Sequence, residues 1–208
     1  QNQVSHQAHL INNHFLDLES RLKAFNATLA SNLSANRTPE RLFFEQDYFK
    51  APPGDSHYDV RYAKVVSHDQ GVLIPQVLAP NPNHLHALSH LNETLKQLFQ
   101  KADLTWAHAL FKDVYFSYPG KSGYPTDYQP RETAWAQATR QSQGNPVWSR
   151  PYIDAQGQGI MLSVAMPVEP GSQTSNSGIT ALSISLPYLI DHFMTLKDLP
   201  VEQSYLLN

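Results

Sequence analysis

Between residues 4 and 33 the apolar positions Val4, Ala8, Ile11, Phe15, Leu18, Leu22, Phe25 and Leu29 recur at spacings of 4, 3, 4, 3, 4, 3 and 4. A mean spacing of about 3.5 puts them on one stripe of an α-helix. At about 1.5 Å per residue the helix reaches about 45 Å. Such a stripe seals against the domain's own sheet or against a second copy of itself, and the two can divide its length. Asn36 and Pro39 end it. A second helix is expected after Asn81-Pro82, which reads as an N-cap with proline at the first helical position. Leu85, Leu88, Leu91, Leu95 and Leu98 carry its apolar face to about Lys101.

Beyond that helix the period falls to two. In 109–118, Val114, Phe116 and Tyr118 share one face, and Tyr115 and Ser117 share the other. In 159–168, Ile160, Leu162, Val164, Met166 and Val168 alternate with smaller residues. In 179–186, Leu182, Ile184 and Leu186 oppose Ile179, Ala181, Ser183 and Ser185. Alternation over three segments separated by turns predicts an antiparallel sheet with a buried face. With the helices ahead of it, the expected fold class is α+β. The stretch 40–80 is aromatic-rich and broken by Pro52-Pro53-Gly54, and it reads as short strands and irregular chain. The segment 169–178, EPGSQTSNSG, reads as a flexible connection.

Composition removes several classes of function. The 208 residues suffice for a sizeable core, and 41% of them are hydrophobic. Charged residues are only 16%, below the usual ~25%. The net charge is −3 and no basic run exists, so nucleic acid is not an expected partner. The absence of cysteine excludes disulfides, thiolate metal sites and a cysteine nucleophile. No segment approaches 18 consecutive apolar residues. His86 and His90 stand at i, i+4 with Glu93 nearby but lack a third ligand, so neither metal nor cofactor is expected. No Gly-x-Ser-x-Gly elbow or Gly-rich phosphate loop is present, and the chain reads as non-catalytic.

Candidate chemistry gathers in DYQPRETAWAQATRQSQGNPVWSRPYIDAQG, residues 127–157. Tyr128, Trp135 and Tyr152 offer aromatic faces and Asp154 a carboxylate. Arg131 suits a structural clamp on nearby carbonyls or Asp127, and Trp148 suits packing of the loop against the sheet. Tyr152 and Asp154 fit a turn brace before Gln156-Gly157 as well as a pocket wall. Tyr115 and Ser117, on the less apolar face of their strand, are further pocket candidates.

The run YQPRETAWAQA…NPVWSRPYIDAQGQGIMLSVAMPV…GITALSISL resembles the membrane-distal module of double Cache domains, PAS-like extracytoplasmic sensors of bacterial signalling proteins. The resemblance covers roughly 105–192 directly. It implies a long N-terminal helix over 1–36, packed on a PAS-like antiparallel sheet in a ligand-binding module at 37–195. The connector 196–208 would carry the first strand, SYLLN, of a membrane-proximal module. The amino-acid-binding branch of the family supplies a tyrosine, an arginine, a tryptophan with a tyrosine beside it, and two aspartates. Tyr128, Trp135 and Asp154 match, and Tyr152 fills the Pro-Tyr position. Thr133, Ala136 and Ser183 depart, removing the arginine that grips a carboxylate and the aspartate that holds an ammonium. Recognition of a zwitterion needs charges against both ends, so the expected ligand is a small polar or cationic molecule. Its expected contacts are Tyr115, Ser117, Tyr128, Trp135, Tyr152, Asp154 and Ser183.

The resemblance implies the periplasmic sensor part of an inner-membrane receptor, tethered to the membrane in the full-length protein. Kinase, chemoreceptor, diguanylate cyclase or phosphatase output would lie outside this chain. A homodimer through the Val4–Leu29 helix is the expected assembly. The competing expectation is a dimerisation module with no small-molecule ligand.

Overall fold

In the computed structural model, residues 2–35, 63–64, 72–76, 80–101, 103–119, 124–125, 128–168 and 178–194 are described. Most of the expected short strands of 40–80, the connection at 169–177 and the expected strand at 204–208 lie outside them. Helix α1, Asn2–Ser34, comes first, followed by β1 (Ala63–Lys64) and β2 (Val72–Pro75). Next are helices α2 (Pro82–Ser89) and α3 (Asn92–Leu98), and strands β3 (Trp106–Leu110) and β4 (Val114–Tyr118). A short helix α4, Ala134–Ala138, precedes β5 (Val147–Trp148), β6 (Tyr152–Ile153), β7 (Ile160–Pro167) and β8 (Ile179–Ser185). Helix α5, Leu186–Leu189, runs into a π-helical turn, Ile190–Met194.

All strands pair antiparallel in the order β1-β2-β4-β3-β8-β7-β5, with β6 also on β7. The chain is thus the α+β layout expected, a long N-terminal helix against an antiparallel sheet. The pleat sends alternate residues to opposite faces. Towards the helices go Val114 and Phe116, Ala107 and Ala109, Leu162, Val164 and Met166, and Leu182 and Ile184. There they meet Leu18, Leu22, Phe25 and Leu29 of α1 and the leucines of α2 and α3 in one buried cluster. The expected stripe of α1 therefore divides. Its C-terminal half is sealed by the domain itself, with Leu18, Leu22, Phe25 and Leu29 at 0% exposure, whereas Val4 is 56% exposed. A self-pairing seam along the whole of Val4–Leu29 is ruled out for that buried half.

Polar ties fix α1 on the sheet. Asn26, itself buried, accepts from the Thr180 hydroxyl at 2.7 Å and donates to the Pro167 carbonyl at 3.2 Å. Arg21 forms an ion pair with buried Asp103 and bonds the Leu98 carbonyl. A buried amide paired at both its oxygen and nitrogen avoids the desolvation cost that an unpaired one carries.

The second helix differs from expectation. One continuous helix to Lys101 is predicted; the chain breaks at His90–Leu91 into α2 and α3. Its start is as expected, with the Asn81 side chain accepting from the Asn83 amide at 3.0 Å. The break follows from leucine spacing. Leu85, Leu88 and Leu91 are three apart, and a 3.6-residue helix would turn Leu91 progressively off the face. A tight turn with the Leu91 amide on the Leu88 carbonyl, at 3.2 Å, gains the missing rotation. Leu88, Leu91 and Leu95 all end at 0% exposure.

Candidate functional site

The sheet face turned away from the helices has a different chemistry. β3 contributes Trp106, His108 and Leu110; β4 contributes Tyr115 and Ser117; β7 contributes Met161, Ser163 and Ala165; and β8 contributes Ile179, Ala181 and Ser183. The register puts His108 between Ser117 and Ala181, and Ser163 beside Ser183. Small residues at Ala165, Ala181, Ser163 and Ser183 leave room for rings arriving from 124–156. Tyr124, Trp135 and Ala136 pack there with Tyr115, and Tyr128, Tyr152 and Ala155 line the edge.

Two polar chains run beneath the rings. The Tyr115 hydroxyl is hydrogen-bonded to His108 Nδ1 at 2.9 Å and to the Tyr124 hydroxyl at 3.0 Å. The Tyr152 hydroxyl meets Ser163 Oγ at 2.7 Å and Ser183 Oγ at 3.3 Å, and the two serines bond each other at 2.7 Å. Trp135 lies flat on His108, with centroids 5.3 Å apart and planes 3° apart. Tyr128 tilts against both Tyr115, at 5.7 Å, and Tyr124, at 4.6 Å.

Burial sets the charge state of these groups. It pushes the His108 pKa down to about 3, so the imidazole is neutral at neutral pH. It also pushes Tyr124 up to about 12 and raises Tyr115, Tyr128 and Tyr152. The Asp154 carboxylate adds to the rise at Tyr124, Tyr128 and Tyr152. Every tyrosine hydroxyl here is therefore protonated and able to donate. The face presents neutral donors and acceptors, aromatic surfaces and one carboxylate.

The structure brings all seven predicted residues to this one face, in unequal roles. Tyr115, Ser117 and Ser183 stand on strands, Trp135 on α4, Tyr152 on β6, and Tyr128 and Asp154 in the capping loop. Trp135 is 1% exposed and serves as a wall. Asp154 braces its turn: Oδ2 accepts from the amides of Gln156 at 3.1 Å and Gln158 at 3.0 Å. Thr133, where the sequence resemblance would call for an arginine, caps α4, its hydroxyl accepting from the Ala136 amide and donating to the Pro130 carbonyl. Trp148 points the other way. Its Nε1 donates to Glu19 Oε1 at 2.9 Å, and its ring meets Phe15 edge-on at 4.6 Å, both on α1. Arg131 is half-buried, and its Nη2 is buried without a partner among the described residues.

Sequence reasoning missed His108, Tyr124, Ser163 and Gln156. His108 left one signal, a lone histidine in the otherwise apolar run WAHAL. Tyr124 and Gln156 left none, since their place depends on how the loop folds back. A cavity of about 190 Å³ lies elsewhere, lined by Leu33, Asn81, His84, Phe111 and Val168, and none of the seven residues borders it. No groups of histidine, aspartate or glutamate suited to a metal ion occur among the described residues.

No family model matches the sequence, and no curated protein does either. Solved structures similar to it include ligand-binding domains of bacterial chemoreceptors. The domain of Pseudomonas aeruginosa PctB in complex with L-Gln is 24% identical at a TM-score of 0.39, the match covering 48% of this chain and 41% of that one. For Pseudomonas fluorescens CtaA with L-alanine the values are 21%, 0.39, 49% and 45%. For P. aeruginosa PctC with GABA they are 21%, 0.40, 52% and 53%. The matched part thus spans about half or less of each of those chains. Among the described residues no helix is long and apolar enough to cross a membrane.

Proposed function

We propose that this chain is the extracytoplasmic ligand-binding part of a bacterial membrane receptor, with the aromatic face of its sheet as the binding site. The observation that carries the reading is the gathering of aromatic rings, neutral hydroxyls and the Asp154 carboxylate at one buried face of the sheet, with Tyr115, Tyr124 and His108 in one hydrogen-bonded chain and Tyr152, Ser163 and Ser183 in another. Such a face suits a small polar molecule stacked on rings and held by hydroxyls. The Asp154 carboxylate, near enough to Tyr124, Tyr128 and Tyr152 to raise their pKa values, favours a cation or amine, since ring quadrupoles and a carboxylate attract the same sign. A neutral polar molecule is second, and a simple dicarboxylate last.

Signal leaves through α1. The loop that carries Trp135 and Tyr152 also carries Trp148, which is bonded to Glu19 and packed on Phe15. A ligand that favours one seating of the loop thereby favours one seating of the helix, and only such differential binding transmits anything. The full-length protein is a periplasmic receptor tethered to the inner membrane, with its output domain beyond these residues.

A thermal-shift screen of amines, amino acids, organic acids and sugars tests the site. Asp154→Ala and Trp135→Ala should each weaken binding of the responding compound by about 1–3 kcal/mol. Stabilisation by carboxylates alone, undiminished in Asp154→Ala, would overturn the reading. A second reading, a dimerisation module without ligand, is favoured by the exposed apolar residues Val4, Leu10 and Leu16 on α1. It predicts no response to any compound, and self-association lost in Val4→Asp/Leu10→Asp.

A further inference from the structure

The cavity of about 190 Å³ away from the aromatic face is walled by three parts of the fold. Leu33 at the end of α1, Phe111 in the β3–β4 turn and Val168 just beyond β7 supply apolar surface. Asn81, Asn83 and His84, where α2 starts, supply polar surface. Gly178 leaves bare backbone beside Phe111, where a Cβ would run into the ring. His84 is held in one orientation. Its ring stacks on Phe111, with centroids 4.2 Å and planes 10° apart, and its Nδ1 meets Asp113 Oδ1 at 2.7 Å. The second Asp113 oxygen accepts from the Asn81 amide. Burial alone would raise the Asp113 pKa, but the bonds from His84 and Asn81 outweigh it and hold it below its ordinary value.

An ionised carboxylate only accepts, so Nδ1 carries a proton and Nε2 of the neutral ring is an acceptor. Asp113 does not border the cavity, and the ring edge left for the cavity carries Nε2. The tie between the β3–β4 turn and α2 makes no use of that atom. A carboxylate would set its charge against the Nε2 lone pair, and an ammonium would be desolvated against Leu33, Phe111 and Val168 with no carboxylate on the wall. A hydroxyl suits all of it, donating to Nε2 while its apolar body covers those three side chains. A cavity of about 150 Å³ is enough for benzene, so this one admits a single ring with a hydroxyl attached. We propose that this cavity is a second small-molecule site, taking a neutral hydroxyl compound with a compact apolar body, such as a phenol or a short alcohol. It stands apart from the aromatic face and does not depend on the sensor reading.

The test is titration of the whole chain with phenol, fluorobenzene and pyridine, followed through the backbone amide NMR signals of Asn83 and Gly178. The bodies are alike in size, but phenol donates, pyridine only accepts and fluorobenzene does neither to any useful degree. Phenol should bind about tenfold more tightly than the other two, the margin of one hydrogen bond to a buried acceptor. His84→Phe keeps a ring against Phe111 and lacks Nε2, so the preference should vanish. Asp113→Asn gives a second readout, which decides alone if His84→Phe does not fold. The Asn81 amide can only donate and so takes the carbonyl of the new side chain, leaving its NH2 group towards Nδ1. Nδ1 must then accept, Nε2 carries the proton, and pyridine should overtake phenol. Equal binding of the three probes, or none at all, would overturn the proposal and leave the cavity to water. A phenol preference unchanged in Asp113→Asn would overturn it as well. Signal shifts confined to Ser163 and Ser183 would put phenol on the aromatic face instead and do the same.

Discussion

On the helix side of the sheet, Val164, Leu182 and Ile184 are covered by the leucines of α1, α2 and α3 in a mainly apolar interface that Asn26 ties to Thr180 and Pro167. On the opposite side, only one residue along, Ser163, Ser183 and His108 lie beneath Tyr115, Tyr124, Trp135 and Tyr152, joined by hydroxyl bonds and ring stacking. Both faces are buried, but the first spends its burial on stability. The second keeps polar groups in a low-dielectric place where an unpaired one is costly and a matching ligand is rewarded. Alternation of side chains lets one set of strands serve both purposes.

The largest expected effect belongs to the apolar side. Leu22→Ala empties a site with 0% exposure at the helix–sheet contact and should lower unfolding free energy by about 2–5 kcal/mol in urea denaturation. A loss well under that range would mean α1 is not part of the cooperative core.

Acid should find the polar side next. The folded pKa of His108 is depressed to about 3, against an unfolded value of 6.5. Below 6.5 the unfolded chain takes up a proton that the folded chain refuses, so the stability present above that pH is lost as the pH falls towards 3. Between pH 6.5 and 5 the loss from this group is about 2 kcal/mol. Denaturation curves at the two pH values should show it, and His108→Phe should remove most of it; an unchanged slope in that variant would place the proton uptake elsewhere.

Tyr152→Phe should cost less, about 0.5–1.5 kcal/mol, because Ser163 and Ser183 keep their mutual bond at 2.7 Å. Smallest of all is Trp148→Phe, which removes the bond to Glu19 while keeping a ring against Phe15. Its stability change should stay below about 1 kcal/mol, yet ligand affinity should move by about twofold, because coupling between sites is reciprocal. Affinity untouched in this variant would separate the two faces and break the proposed route to the helix.

Periodicity alone determined the larger elements. The 3.5-residue stripe of α1, the Asn81-Pro82 start of α2 and the two-residue alternation of β4, β7 and β8 are local patterns. Each is enforced by which residues must avoid water. The same alternation put Tyr115 and Ser117 together on one face of their strand and Ser183 opposite Leu182 and Ile184 on its own, and the pairing register made those two faces one. Tertiary structure decided what lies far apart in sequence. Leu88 and Leu91 fit the core only because a turn tightened between them, and the stripe of α1 divides because its C-terminal half, from Leu18 to Leu29, joins the core under the sheet while Val4 stays exposed. Tyr128, Trp135 and Asp154 were legible through their resemblance to a motif. His108, Tyr124 and Gln156 were not, because a histidine becomes a neutral platform, and an amide a neighbour of a buried tyrosine, only through what folds over it. Trp135 and Trp148 show the limit most plainly. They are 13 residues apart, on α4 and β5, and the path of the chain between these elements sends one onto His108 and the other onto α1.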